Sequence, residues 1–146
     1  MNNKYMDLAY EEAIKAYNDN EVPVGAVIVR NGDVLVKTHN LKLKTNNIMN
    51  HAEIIALIEA SNILGDWRLS DCEMYITLEP CPMCAGAIQQ SRIKKIYIGA
   101  KSNIPSNERI IKNILQNKDS YHVVEVEYLN NSKCSSILTR FFTDKR

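Results

Sequence analysis

Met74-Tyr75-Ile76-Thr77-Leu78-Glu79-Pro80-Cys81-Pro82-Met83-Cys84-Ala85-Gly86-Ala87-Ile88 carries the two signals on which the reading of this chain turns. Met74 to Leu78 has the short apolar character of a strand, and Pro80 stops it because proline cannot donate to a sheet ladder. From Cys81 to Gln90 the pattern is helical, with Pro82 in the first turn, where its missing N–H does no harm. A buried strand feeding a helix predicts an α/β unit. Cys81 and Cys84, three residues apart, then share one face of the helix start.

Working outward, Tyr5 to Asn18 places Tyr5, Leu8, Ala9, Ala13, Ala16 and Tyr17 at helical spacing, with the acidic residues elsewhere. Val22 to Arg30 reads as a buried strand, and Asn31-Gly32 before Val34-Leu35-Val36 is a two-residue hairpin signal. Lys37 to Asn50 is polar and aperiodic, as a loop should be. Helical periodicity returns from Ala52 through Ile54, Leu57, Ile58 and Ala60 as far as Gly65, so His51 and Glu53 stand at a helix start. Beyond Gln90 the pattern predicts a strand over Lys95 to Ala100, a helix over Glu108 to Gln116, a strand over Tyr121 to Leu129 and a closing helix over Ser132 to Phe142. This alternation predicts a central mixed sheet with helices on both faces.

The chemistry lies in two helix starts. Catalytic zinc takes three protein ligands and leaves a fourth position for water, whereas structural zinc closes all four. Cys81 and Cys84 supply two thiolates, and His51 supplies an imidazole from the other helix. His51 and Glu53 would face apart in mid-helix, so they must straddle the irregular first turn, with Glu53 beside the metal and free to handle its water. His-x-Glu followed by Pro-Cys-x-x-Cys is the signature of the zinc deaminases of nucleobases. A structural zinc clip would need a fourth ligand from His39, His122, Cys72 or Cys134, none of which is paired by spacing. A redox Cys-x-x-Cys would leave His51-Ala52-Glu53 unexplained, and Cys72 and Cys134 read as small core residues.

Val22-Pro23-Val24-Gly25-Ala26-Val27, His51-Ala52-Glu53, Leu78 to Ile88 and Ser91-Arg92-Ile93 resemble the bacterial tRNA-specific adenosine deaminases. The resemblance runs from the first helix to about Ala100 and returns faintly at Leu138 to Phe142. It implies a three-layer cytidine-deaminase-like α/β fold with a central five-stranded mixed sheet, residues 1–146 forming a single zinc-dependent deaminase domain, and a homodimer with one Zn2+ per subunit. It further implies hydrolytic deamination of adenosine to inosine at the wobble position of a tRNA anticodon stem-loop, by zinc-activated water and with release of ammonia. Carried over by residue, His51, Cys81 and Cys84 are metal ligands, Glu53 is the proton shuttle, and Asn40 and Ala52 contact the flipped base. By itself an asparagine after a hairpin is more often a turn residue. Two departures stand out. Asn50 occupies the place of a small residue before the histidine, and Lys101-Ser102-Asn103-Ile104-Pro105-Ser106-Asn107 replaces a loop that carries Asp, Lys and Gly at set positions and is expected to touch RNA.

Composition agrees with a globular enzyme: hydrophobic residues make up 45% of the chain and charged residues 24%, both near the average for a folded domain. The longest nearly uncharged apolar run, Val22 to Val29, is far below the roughly 20 residues of a membrane span, and Met1-Asn2-Asn3-Lys4 leads into an acidic helix rather than a signal core. No membrane partner and a cytoplasmic location are expected, and in that reducing compartment the cysteines should be free. The net charge of +1 excludes a chain that coats nucleic acid everywhere. Yet residues 91–118 hold Arg92, Lys94, Lys95, Lys101, Arg109, Lys112 and Lys118 against Glu108 alone, which permits a one-sided basic surface. Two other functions share the zinc motif: a small-molecule deaminase of a free base or nucleoside, which needs no basic surface, and a catalytically silent zinc-binding subunit, which has no use for Glu53.

Overall fold

The computed structural model describes residues 3–144. Helix α1 (Asn3–Asn18) leads into the hairpin β1 (Gly25–Arg30) and β2 (Asp33–His39); the short helix α2 (Lys42–Thr45) and α3 (Ala52–Leu64) follow. Then come β3 (Cys72–Leu78), α4 (Pro82–Gln90), β4 (Lys95–Ala100), α5 (Asn107–Leu115), β5 (Glu125–Tyr128) and α6 (Ser132–Asp144). The sheet order is β2-β1-β3-β4-β5. β1 is antiparallel to both β2 and β3, whereas β3/β4 and β4/β5 are parallel, so the sheet is mixed and five-stranded as expected.

Side chains alternate across the strands and divide the core in two. Ala26, Ile28, Met74, Ile76, Ile96 and Ile98 face the helices α3, α4 and α5, while Val27, Val29, Tyr75 and Tyr97 face α1 and α6. On the second face the Tyr75 and Tyr97 rings stack with centroids 4.3 Å apart. Asn31 and Gly32 both take positive φ (51° and 85°), as the tight hairpin turn requires. Gly25 answers a different need: a Cβ there would stand 1.9 Å from the Ala9 carbonyl oxygen, so only glycine lets β1 lie this close under α1.

Four differences from the sequence reading have local causes. β1 begins at Gly25 rather than Val22, because Pro23 has no N–H and the Val22 carbonyl accepts instead from the Val24 N–H (2.8 Å) and from Asn40. The segment read as a loop from Lys37 contains the last residues of β2 and the helix α2. The long strand read over Tyr121 to Leu129 shrinks to Glu125–Tyr128, since its one neighbour, β4, starts opposite Glu125. Finally, Glu12 sits on the buried side of α1, where it accepts from His39 Nδ1 (2.8 Å) and Lys15 Nζ (2.7 Å). Burial alone would push the Glu12 carboxyl up, but these two partners hold it below its ordinary value.

Candidate metal centre and cleft

The N-terminal ends of α3 and α4 lie side by side at the C-terminal edge of β3. His51 and Cys81 are the residues just before these helices, both extended (φ −76°, ψ 151° and φ −74°, ψ 168°), and neither side chain caps its own helix. Both are therefore free to turn toward a shared point. His51 Nδ1 stands 3.7 Å from Cys81 Sγ and 3.5 Å from Cys84 Sγ. Tetrahedral zinc with ordinary bond lengths separates its nitrogen and sulfur ligands by about 3.6 Å, so these side chains already stand at the spacing the ion demands. Among the described residues this is the only group of three or more metal-type side chains close enough to hold one ion.

The candidates for a fourth protein ligand are elsewhere. His39 is bonded to Glu12, and His122 Nε2 lies 2.7 Å from the Ile93 carbonyl oxygen. Cys72 and Cys134 are buried core thiols. Three ligands and an open position are the pattern of catalytic zinc rather than of a structural clip. The electrostatics are suited to a cation: hydrogen bonds from Cys84 and His51 outweigh burial and bring the Cys81 thiol down to about 4, while the bond to Cys81, together with burial, pushes Cys84 up. The two helix N-termini favour negative charge at this point as well.

Glu53, the second residue of α3, is buried beside Cys84. Burial raises its carboxyl to about 7, near the pH at which a proton shuttle works best. A divalent cation next to it would draw the value down again.

His51, Cys81 and Glu53 form the floor of a cleft of about 250 Å³. Val22, Val24 and Leu78 give it apolar walls, Asn40 and Lys42 stand on one side, and Ser102, Ile104 and Asn107 on the other. The volume is below the roughly 300–1,000 Å³ of pockets for drug-sized ligands, so it suits a single flat ring with any sugar and phosphate left outside.

Asn40 spans the cleft wall. Its Nδ2 donates to the Val22 carbonyl (3.1 Å), and its Oδ1 accepts from the Ala52 N–H (2.8 Å). Ala52 itself is fully buried and not part of the lining; its carbonyl accepts from Thr38 Oγ1 (2.7 Å). Asn50, the larger residue before His51, donates to Thr45 Oγ1 (2.7 Å) and so ties the α3 entry to α2.

Sequence reasoning missed two carboxylates. Glu21 is buried and accepts from the Leu43 and Lys44 N–H groups (2.8 and 2.9 Å), closing the start of α2 in place of Leu41, which has no polar side chain. Glu79 is buried at the opposite wall. Only its place directly after an apolar strand hinted at this. The basic stretch 91–118 is partly neutralised: Lys101 and Lys112 share Glu108 (3.0 and 2.8 Å), and Lys95 pairs with Glu127 (2.9 Å).

Comparison with known proteins places this geometry. Residues 1–100 match the model of the cytidine and deoxycytidylate deaminase zinc-binding region. The chain is 40% identical over 143 residues to the tRNA-specific adenosine deaminase of Bacillus subtilis, covering 97% of this chain and 89% of the relative. It is 37% identical to the enzyme of the same name from Aquifex aeolicus, covering 97% and 94%. Among solved structures, a tRNA:A34 deaminase studied for A-to-I editing at the wobble position superposes with a TM-score of 0.83 at 35% identity, over 93% of this chain and 99% of the other. The Bacillus subtilis guanine deaminase superposes with a TM-score of 0.68 at 25% identity, over 100% and 98%.

The Asn40 clamp makes a direct prediction. Asn40→Ala leaves the Ala52 N–H without its partner and the Val22 carbonyl with only its bond from the Val24 N–H, and should lower unfolding stability in urea by about 2 kcal/mol. An unchanged urea midpoint would show that the clamp does not brace the cleft.

Proposed function

Because the chain belongs to the zinc-dependent cytidine and deoxycytidylate deaminase family, we propose that residues 1–146 form one deaminase domain that converts adenosine to inosine at the wobble position of a tRNA anticodon. The observation that carries this reading is the triad of ligand atoms, His51 Nδ1 with Cys81 and Cys84 Sγ, beside the buried Glu53 in a cleft the size of one base. Similarity to tRNA-specific adenosine deaminases over nearly the whole chain supports the substrate.

His51, Cys81 and Cys84 would hold one zinc ion. When bound, zinc acts as a Lewis acid that makes water acidic enough to serve as a nucleophile near neutral pH. Glu53 takes the proton of the attacking water as its oxygen adds to the ring carbon bearing the amine. It then delivers protons to the ring nitrogen and to the departing amine, so adenosine and water yield inosine and ammonia. Asn40 has one amide hydrogen beyond its bond to Val22, and that hydrogen can meet the edge of the base. Ala52 contributes by anchoring Asn40, since its own N–H is already donated. The base must leave the stack to enter so narrow a cleft, and an anticodon loop offers it at little unstacking cost. A tRNA substrate fits a cytoplasmic location, and no described helix is long and apolar enough to cross a membrane.

The proposal extends to a homodimer. Ile58, Trp67 and Met83 are exposed by 56%, 56% and 39%, and Ile54, Leu57 and Ala87 continue their surface into a shallow apolar groove along α3 and α4. A Cβ at Gly86 would meet no atom within 4 Å among the described residues, although glycine in mid-helix costs about 0.5–1 kcal/mol relative to alanine. Both features suit a second copy packed on this face. Ile58→Glu should convert a dimer to a monomer in sedimentation velocity; a wild-type monomer at working concentration refutes this part.

The reaction is tested with purified zinc-loaded protein on an anticodon stem-loop carrying a wobble adenosine, beside free adenine, guanine, cytosine and their nucleosides. Inosine in the stem-loop is expected, and Glu53→Gln should keep its zinc while losing at least about 10²-fold in rate. Turnover of a free base or nucleoside alone would leave the proton chemistry in place and overturn the tRNA substrate.

A further inference from the structure

Glu79 is the first residue past β3 and is only 4% exposed. A buried carboxylate is costly unless its oxygens are satisfied, and here three neutral donors satisfy them. Oε1 accepts from Asn107 Nδ2 (2.8 Å) and, at longer range, from the Ser102 N–H (3.4 Å); Oε2 accepts from the Tyr128 hydroxyl (2.5 Å). Among the described residues no cation pairs with Glu79. Lys101 and Lys112 lie over the Tyr128 ring instead, 5.2 and 5.3 Å from its centroid, and pair with Glu108.

These donors come from both ends of the 101–107 segment and from the edge strand β5. Asn107 Nδ2 also donates to the Pro80 carbonyl (3.1 Å), immediately before Cys81, and the Glu79 N–H donates to the Ala100 carbonyl (2.8 Å). The loop is therefore tied at its start and end to the residues that lead into the metal ligands. Ser102 and Ile104 of this loop line the cleft, and Ile104 is 62% exposed.

We infer that Glu79, Asn107 and Tyr128 form a latch that positions the 101–107 loop against the cleft and thereby sets how well the substrate fits, with Glu79 acting as a positioning residue rather than as an acid or base. The inference rests on the deaminase reading of the cleft. The latch works by shape and not by charge. Glu79→Gln keeps an acceptor for Asn107 and Ser102, and its amide can donate to the Tyr128 oxygen once the phenol hydrogen turns away. Asn107→Ala removes the bonds to both Glu79 and Pro80, and Asn107→Asp sets a second carboxylate against the first.

The test uses the full-length zinc-loaded protein and two readouts, steady-state kinetics on the anticodon stem-loop and amide hydrogen exchange over residues 101–107. Removing the donor that serves two buried acceptors, Glu79 Oε1 and the Pro80 carbonyl, corresponds to about tenfold or more in the population of the ordered loop. Asn107→Ala and Asn107→Asp should therefore speed exchange in 101–107 and raise KM about tenfold or more, with kcat and exchange in α3 nearly unchanged. Glu79→Gln should stay close to wild type in both. A Glu79→Gln protein that loses kcat would overturn the inference by showing that the charge itself acts, as would an Asn107→Ala protein with unaltered exchange. If wild type leaves the stem-loop untouched, the functional reading fails, and the exchange data alone decide whether the latch exists.

Discussion

Two helices begin at the same place, and that convergence governs the rest of the molecule. α3 and α4 start at one edge of the sheet, with His51 and Cys81 in extended conformation just before them, and this brings Nδ1 within 3.5 to 3.7 Å of both thiols. The bond to Cys81, together with burial, pushes the Cys84 thiol up. Zinc acts the other way, because a thiolate is the form of cysteine that it binds. The sheet, the close approach of α1 at Gly25 and the buried faces of α3 and α4 all serve to fix two helix starts relative to each other.

Around that centre the protein braces its loops with buried carboxylates. Glu21 closes α2, Glu12 holds His39 at the end of β2, and Glu79 ties the 101–107 loop. Each is satisfied by several donors, which is what makes burial tolerable. Asn40 completes the frame with an amide that both donates and accepts. The cleft walls are therefore preorganised by polar contacts, while its floor is left to the metal ligands and Glu53. Such rigidity suits a reaction in which the base must be held at a fixed distance from water and proton shuttle.

Much of this was legible in the sequence wherever the signal was local. The hairpin at Asn31-Gly32, the helix start at Cys81-Pro82 and the Cys81/Cys84 pair depend on residues close together or on spacing within one element, while His51, some thirty residues earlier, was legible by its residue type and its own helix start. What could not be read depends on distant partners. α2 exists because Glu21, some twenty residues earlier in the chain, caps it. β5 is short because β4 begins opposite Glu125, and Pro23 denies β1 its first turn of ladder. Glu79 and Asn107 gave no sign of meeting, since neither belongs to a periodic pattern and the contact spans a strand and a loop. Asn40, read from its own residue type as a turn former, proves to be a strut between two walls.

The cleft is built around one ion held by one nitrogen and two sulfurs. X-ray absorption at the zinc edge of the purified protein, with zinc content measured on the same sample, examines this directly. One zinc per chain is expected, with two sulfurs at about 2.3 Å and nitrogen or oxygen neighbours at about 2.0 to 2.1 Å. A site of four sulfurs, or a protein that folds fully while binding no zinc, would contradict it.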